Sequence, residues 1–387
     1  MHRSGPKGAA AILAAALMFT SAASASPASQ TVPKSFKANS ITWLTPKQGW
    51  VLGAVPCGKT TCATVVATTD GARTWQRIGS IPTAIAKMGQ QQDPGVEEIR
   101  FGTASIGWAY EPFLFRTTNG GRSWSRVPMP GGGKQVLAMA VGPTSTFAIV
   151  STCRWATGLC NHKPLTLWRT PTGAVSWTQI ALALPANVAG PDVEQLGDTV
   201  YVVDPQVDVS GAKDKFYAST DGGQHFAPRP VPCDKTQDVA LIQAVPYSAT
   251  DVALLCDGNP GFSKAQKFVY VSTNTGKTDH FKGQMGVYGI QAQLAASPSG
   301  NLAVASYSDG SFIYRRGATD SRWRRVIASG DGGAGWNDIT YVTNKVGWVV
   351  GGPAELPSDI GKLLVTHDAT AAKRAGRRVT LRDGRIS

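Results

Sequence analysis

Residues 53–60 read GAVPCGKT, the spacing of a phosphate-cradling G-x-x-x-x-G-K-T loop. Such a loop holds phosphate because a helix follows it, presenting free amides and the positive end of a dipole. Here the β-prone run Ala63, Thr64, Val65, Val66 follows, and Pro56 and Cys57 lie inside the loop, so nucleotide chemistry is not expected. Residues 330–338 (GDGGAGWND) are similar to calcium-binding G-G-x-G-x-D turns, but the acid is displaced by one position and the motif occurs once, so cation binding by Asp331 and Asp338 is not expected and the turn accounts for the glycines. His162, His225, His280 and His367 show neither H-x-x-x-H nor H-E-x-x-H spacing. No metal and no cofactor are expected.

The elements that would position any site read as strands and turns. Among 387 residues there are 43 Gly and 24 Pro, only 16% are charged and 42% are hydrophobic, which excludes a disordered chain or a coiled coil. Eleven Trp and twelve Phe supply the bulk of a sizeable core. Residues 1–25 read as a signal peptide: Arg3 and Lys7, an apolar run at 8–19, and Ala23-Ser24-Ala25 as cleavage site. No later apolar run approaches the length of a membrane span, so a secreted, extracellular or cell-wall-associated protein is expected. The net charge is +13, and loss of Arg3 and Lys7 leaves about +11. Much of that excess sits in a basic tail, 371–387, with Lys373, Arg374, Arg377, Arg378, Arg382 and Arg385 against Asp383. An anionic cell-wall polymer is the partner this tail suits; no base-reading motif points to nucleic acid, and a monomer is expected.

Self-comparison shows a unit of about fifty residues. Each opens with a strand and a Gly-Trp turn: Ser40-Ile41-Thr42-Trp43 then Gly49-Trp50, Glu98-Ile99-Arg100-Phe101 then Gly107-Trp108, and Asp338-Ile339-Thr340-Tyr341 then Gly347-Trp348. Later in each comes a turn such as TTDGARTW (68–75), TTNGGRSW (117–124) or STDGGQHF (219–226), with degenerate copies at 170, 272, 316 and 366. Asp70, Asn119 and Asp221 are placed to bond local amides, and Trp75, Trp124 and Phe226 to plug the space between sheets.

The octapeptide resembles the Asp-box of the bacterial neuraminidase repeat, shared by sialidases, sortilin-type propellers and the photosystem II stability/assembly factor-like family; the Gly-Trp strand looks most like the last. The resemblance covers about residues 40–368 and implies an all-β fold, a seven-bladed β-propeller of four-stranded antiparallel blades. The propeller is expected over 40–370. Residues 26–39 form an N-terminal segment, of which 31–39 are favoured over Val379-Thr380-Leu381 as the strand that closes the ring.

On that topology the cysteines are expected to pair Cys57 with Cys62, Cys153 with Cys160, and Cys233 with Cys256, all on the face of the loops between second and third strands and between blades. Stapled loops suit binding of a protein or glycan, and equally suit plain stabilisation of an exported protein. Arg154, Trp155 and Trp336 are the ligand-binding candidates there, with blade packing the competing role for each Trp. Sialidase chemistry is not expected, because no Arg stands between Arg3 and Arg73 to begin the carboxylate clamp. The catalytic set is otherwise unknown: a glycoside hydrolase would need two acids converging in the central funnel, for which Glu98, Asp257 and Asp338 are the candidates.

Overall fold

The computed structural model describes residues 30–58, 60–86, 95–153, 164–185, 190–206, 213–233, 239–258, 265–285, 289, 291–308, 310–329, 334–353, 362–366, 378–382 and 385–386. Blade one holds β1 (Gln30–Thr31), β2 (Lys37–Trp43), β3 (Gly49–Cys57), β4 (Thr60–Thr68) and β5 (Gln76–Ile81). Blade two holds β6 (Glu98–Phe101), β7 (Gly107–Tyr110), β8 (Phe115–Thr117) and β9 (Ser125–Arg126), and blade three β10 (Gln135–Val141), β11 (Ser145–Ser151), β12 (Leu165–Pro171) and β13 (Thr178–Leu184). Blade four holds β14 (Asp192–Leu196), β15 (Thr199–Asp204), β16 (Lys215–Ser219) and β17 (Ala227–Pro228). Blade five holds β18 (Val239–Pro246), β19 (Val252–Gly258), β20 (Lys267–Ser272) and β21 (His280–Met285), and blade six β22 (Gln291–Ala296), β23 (Leu302–Ser308), β24 (Gly310–Arg316) and β25 (Arg324–Ser329). A closing sheet holds β26 (Ala334–Tyr341), β27 (Gly347–Pro353), β28 (Lys362–Thr366), β29 (Arg378–Arg382) and β30 (Arg385–Ile386).

Within each sheet consecutive strands pair antiparallel, the up-and-down order of an all-β propeller. The first strands β2, β6, β10, β14, β18, β22 and β26 contact one another in succession around the axis. The expectation of a seven-bladed propeller is corrected here to six blades. These six are four-stranded, blade one carrying β1 as a two-residue addition outside β5, and the closing sheet is built differently. The N-terminal segment does not complete that sheet: its fourth strand is β29, from the basic tail, paired through Lys362↔Thr380 and Leu363↔Val379. Residues 31–39 instead lead into β2, and Val32 and Phe36 are buried beneath blade one.

Neighbouring sheets are joined by apolar clusters built from the inward-alternating residues of both. Trp43, Trp75, Trp348 and Val350 join the closing sheet to blade one, and Trp50, Phe101 and Trp124 join blade one to blade two. These aromatics repeat one arrangement. Trp348 stacks on Trp43 at 4.2 Å and Trp75 meets that ring edge-on at 5.9 Å; Trp50 stacks on Phe101 at 4.0 Å with Trp124 edge-on at 6.0 Å. The glycines of the first two Gly-Trp pairs make room for the first-strand ring. A Cβ on Gly49 would lie 2.4 Å from the Trp43 ring, and one on Gly107 2.7 Å from Phe101.

The recurring turn also has one geometry. Thr68 Oγ1 accepts the amide of Ala72 and donates to Asp70 Oδ1, which accepts the amide of Thr74. Thr117 with Asn119, Ser219 with Asp221, and Ser272 with Asn274 repeat it. The side chain thus satisfies amides that a third-to-fourth strand turn leaves unpaired.

Trp124→Ala removes a buried ring from the joint between blades one and two and is expected to cost about 3–5 kcal/mol. Gly107→Ala, which forces Phe101 off its seat, is expected to cost about 1–3 kcal/mol by overpacking. Denaturant unfolding of both variants checks the order; a Trp124→Ala protein as stable as the parent would contradict this account of the joint.

Candidate functional site

A first strand in a radiating blade pairs with a neighbour on one side only, so its amides on the channel side need other partners. Side chains of adjoining first strands supply them. Asp338 Oδ2 accepts the Ile41 amide at 3.1 Å, Ser40 Oγ that of Ile99 at 3.1 Å, Asp192 Oδ2 that of Ala244 at 3.2 Å, and Gln243 Oε1 that of Leu294 at 2.7 Å. Bulges in the first strands place Ser40, Asp338 and Gln243: pairing slips by a residue between Ala38 and Ser40, Trp336 and Asp338, and Leu241 and Gln243. A bulge bends its strand and re-aims the side chain after it.

Three of these strands bring charge together. Arg100 Nη1 is 2.8 Å from Glu98 Oε2 and 2.9 Å from Asp338 Oδ2, and Ser40 Oγ is 2.8 Å and 3.0 Å from the same two oxygens. Ser40 Oγ has one hydrogen to share between these two carboxylate oxygens and itself accepts from the Ile99 amide and from Arg100 Nη1. Burial pushes Glu98 up to about 7, against the pull of Arg100. Burial disfavours the charge on Arg100 as well, but Asp338, Tyr110, Glu98 and Glu194 outweigh it and hold the guanidinium well above its ordinary value.

Further acids border this group. On β14, burial raises Asp192 to about 7, while burial and then the charge of Asp192 raise Glu194 to about 8. Burial and the charge of Glu98 raise Glu97 to about 8, and burial with Glu97 and Glu98 pushes Glu111 well above the carboxylate range. These acids are half-buried: Glu98 and Arg100 keep 18% and 28% of their side-chain surface accessible, so solvent reaches the cluster while protein surrounds it. Glu97, Glu98 and Asp192 stand where first strands begin and Glu111 where a second strand ends, which is one face of the ring. On the same face Cys57–Cys62 closes the β3–β4 hairpin and Cys233–Cys256 ties the approach to blade five onto β19. Cys153 is disulfide-bonded too, and Cys160 lies outside the described residues.

Of the acids singled out from sequence, Glu98 and Asp338 come together and Asp257 does not. Asp257 lies one strand out, on β19, with Oδ1 3.5 Å from Nζ of the fully buried Lys267, which also donates to the carbonyls of Ala265 and Gly289. Burial raises Asp257 to about 7 and lowers Lys267. Arg154 and Trp155 lie outside the described residues; Trp336 is on β26, its backbone paired with Gly351. Among the described residues no group of His, Cys, Asp and Glu is arranged to hold a metal, and no helix is long and apolar enough to cross a membrane.

Sequence reading missed Ser40, Glu97, Arg100, Glu111, Asp192 and Glu194. The signal was the repeat itself: Ser40, Glu98 and Asp338 hold the same place in S-I-T-W, E-I-R-F and D-I-T-Y, hence the same height on adjoining first strands.

No family model matches the chain, and no curated protein matches it. Solved structures do. A structure of YCF48 bound to D1 peptide is 15% identical, with 87% of this chain and 95% of that one covered at a TM-score of 0.50. Oligogalacturonate lyase from Vibrio parahaemolyticus is 9% identical over 87% and 92%, with a TM-score of 0.54. A puromycin-hydrolyzing peptidase of Mycobacterium tuberculosis is 12% identical over 90% of this chain and 52% of its own, about half its length, with a TM-score of 0.57. At these identities the likeness is one of fold, and the propeller carries both binding proteins and enzymes.

Carboxyls whose values are raised on folding bind more protons in the folded chain than in the unfolded one, so stability falls as pH rises from the ordinary carboxylate range through the raised values. Thermal midpoints should therefore decline between about pH 5 and pH 8, the window set by Glu97, Glu98, Asp192 and Glu194. Glu194→Gln should flatten that decline. A midpoint that climbs across the window in the parent would refute the assignment.

Proposed function

We propose that this is an exported, non-catalytic propeller that takes a basic segment of a partner protein at the acid-lined mouth of its channel, on the disulfide-bearing face. The observation that carries the reading is the contact of Arg100 with Glu98 and Asp338, with Glu111, Asp192 and Glu194 electrostatically coupled to the same arginine and Glu97 to Glu98, in a protein whose net charge is +13. Side chains that ionise reluctantly in the free protein gain a counter-charge when a Lys or Arg enters. A propeller of similar fold, YCF48, has been solved with a peptide bound, which supports a peptide-like partner. Export rests on the signal-peptide reading of residues 1–25, and the disulfides are compatible with it.

A hydrolytic reading draws on the convergence of Glu98 and Asp338, since paired acids in a funnel are what a glycosidase needs. Both oxygens, however, lie on the same guanidinium nitrogen and the same hydroxyl, which leaves neither acid free to face a leaving group. Binding is therefore the stronger reading.

Titration calorimetry with a hexa-arginine peptide tests it. Affinity should rise with pH through about 7–8 as the acids ionise, and Glu194→Gln and Glu98→Gln should each weaken it about ten-fold. Unchanged affinity in both variants would overturn the proposal. Turnover of a glycoside panel that disappears in Glu98→Gln would establish the hydrolytic reading instead.

A further inference from the structure

We propose, resting on the reading of the mouth given above, that Tyr110 and Glu111 are the residues that take hold of the partner, the hydroxyl of one and the carboxylate of the other receiving a single lysine or arginine side chain of its basic segment. The repeats single the pair out. The three Gly-Trp strands continue as G-W-V-L-G at 49–53, G-W-A-Y-E at 107–111 and G-W-V-V-G at 347–351. Where the other two copies carry an aliphatic residue and a glycine, Leu52 with Gly53 and Val350 with Gly351, blade two carries a hydroxyl and a carboxyl. Leu52 and Val350 are fully buried, so the fold asks only for apolar bulk at that place.

Tyr110 supplies the bulk and adds an oxygen that the fold does not use. It is 4% exposed, and its ring packs with Leu114, Val136 and Met139 between blades two and three. Among the described residues its hydroxyl has no hydrogen-bond partner. A buried hydroxyl without a partner costs stability that phenylalanine would keep. The hydroxyl also reaches the acid cluster: burial pushes it well above the ordinary tyrosine range, and Arg100, Glu98, Glu111 and Asp338 all act on it.

Glu111 is held at a cost of a different kind. Its backbone has φ 68°, the left-handed region that favours glycine. The other non-glycine residues found there, Ala72 and Thr275, lie in the recurring turns, at places where the turn at 117–124 has Gly121 and Gly120. Glu111 lies in no such turn, and its carboxyl makes no hydrogen bond or ion pair among the described residues. In blade one Phe36 and the Lys37 carbonyl leave no room for a Cβ on Gly53, whereas the blade-two strand has ended at Tyr110, which frees the next residue to carry a side chain. Strand alternation would send neighbours to opposite faces; the left-handed residue ends that alternation, and the two groups act on one another. Burial, with Glu97 and Glu98 beside it, pushes the Glu111 carboxyl well above the carboxylate range, and an entering cation reverses that balance. Neither group has to give up a bond within the protein to receive it.

Titration calorimetry with hexa-arginine, paired with denaturant unfolding of the same full-length proteins, tests the proposal. Tyr110→Phe and Glu111→Gly should each weaken binding about ten-fold. Both should unfold at or above the parent's midpoint, since one removes an unpartnered hydroxyl and the other a strained backbone. The double variant should lose less than the product of the two single losses, because both groups hold one cation. Asp198→Asn, exposed in the turn at the far end of blade four, removes the same charge as Glu111→Gly and should leave affinity unchanged. A parent that binds, with either variant binding equally well, overturns this inference and leaves the reading of the mouth standing; a parent that does not bind overturns both. A midpoint clearly below the parent's in either variant makes that residue structural and likewise overturns the inference, as does a double variant that loses the full product.

Discussion

The inner edge of a propeller has no strand to pair with, and that one constraint shapes the centre of this molecule. First strands approach the axis too steeply to form a ladder with each other, so each presents amides that must be satisfied side by side rather than strand to strand. The chain answers with polar side chains on the first strands, three of them following a bulge, each accepting an amide from an adjoining sheet. Asp338 is the critical member, because its bond to Ile41 joins the closing sheet to blade one where no covalent connection runs between them. The stacked Trp348–Trp43 pair makes the same joint farther out, in apolar terms.

Carboxylates are good acceptors for such amides, but concentrating them has a consequence. Each added acid raises the cost of ionising the next, and enclosure by the surrounding sheets adds to it. Arg100 offsets part of this by lying against Glu98 and Asp338 at once, and Ser40 shares its single hydrogen between the same two groups. What remains is a half-buried cluster with more negative capacity than the protein neutralises. A purely structural channel could use amides and hydroxyls throughout, as Gln243 and Thr42 do at their positions. The surplus of acids is therefore the feature on which the proposed binding site rests.

Much of the fold was legible because repetition multiplies a weak signal. The Gly-Trp pairs mark second strands, since only a glycine at 49 or 107 admits the ring of the preceding strand, and the turns mark passage from third to fourth strand. The closing sheet was not legible. Arg378, Arg382 and their neighbours read as a solvated tail, and nothing in a run of like charge announces that its backbone pairs with β28. The site was half legible: Glu98 and Asp338 stood out as acids on strand copies, yet their convergence spans blades, with Ser40 and Asp338 separated by 298 positions in the chain. Asp257 looked equivalent to them by residue type, and what sets it apart is Lys267, ten residues on and buried against it.

The distribution of charge follows from the same geometry. A channel lined by first strands is the only part of the ring where many polar groups must face one another, so acids placed there are forced into company, while arginines on outer strands can spread along the rim. In this chain Glu97, Glu98, Glu111, Asp192, Glu194 and Asp338 gather toward the axis at the disulfide-bearing face, on blade two, blade four and the closing sheet. A net charge of +13 consequently does not describe that surface. Holding these acids together requires a rigid ring, and the aromatic joints and the first-strand hydrogen bonds between sheets are what make the ring rigid.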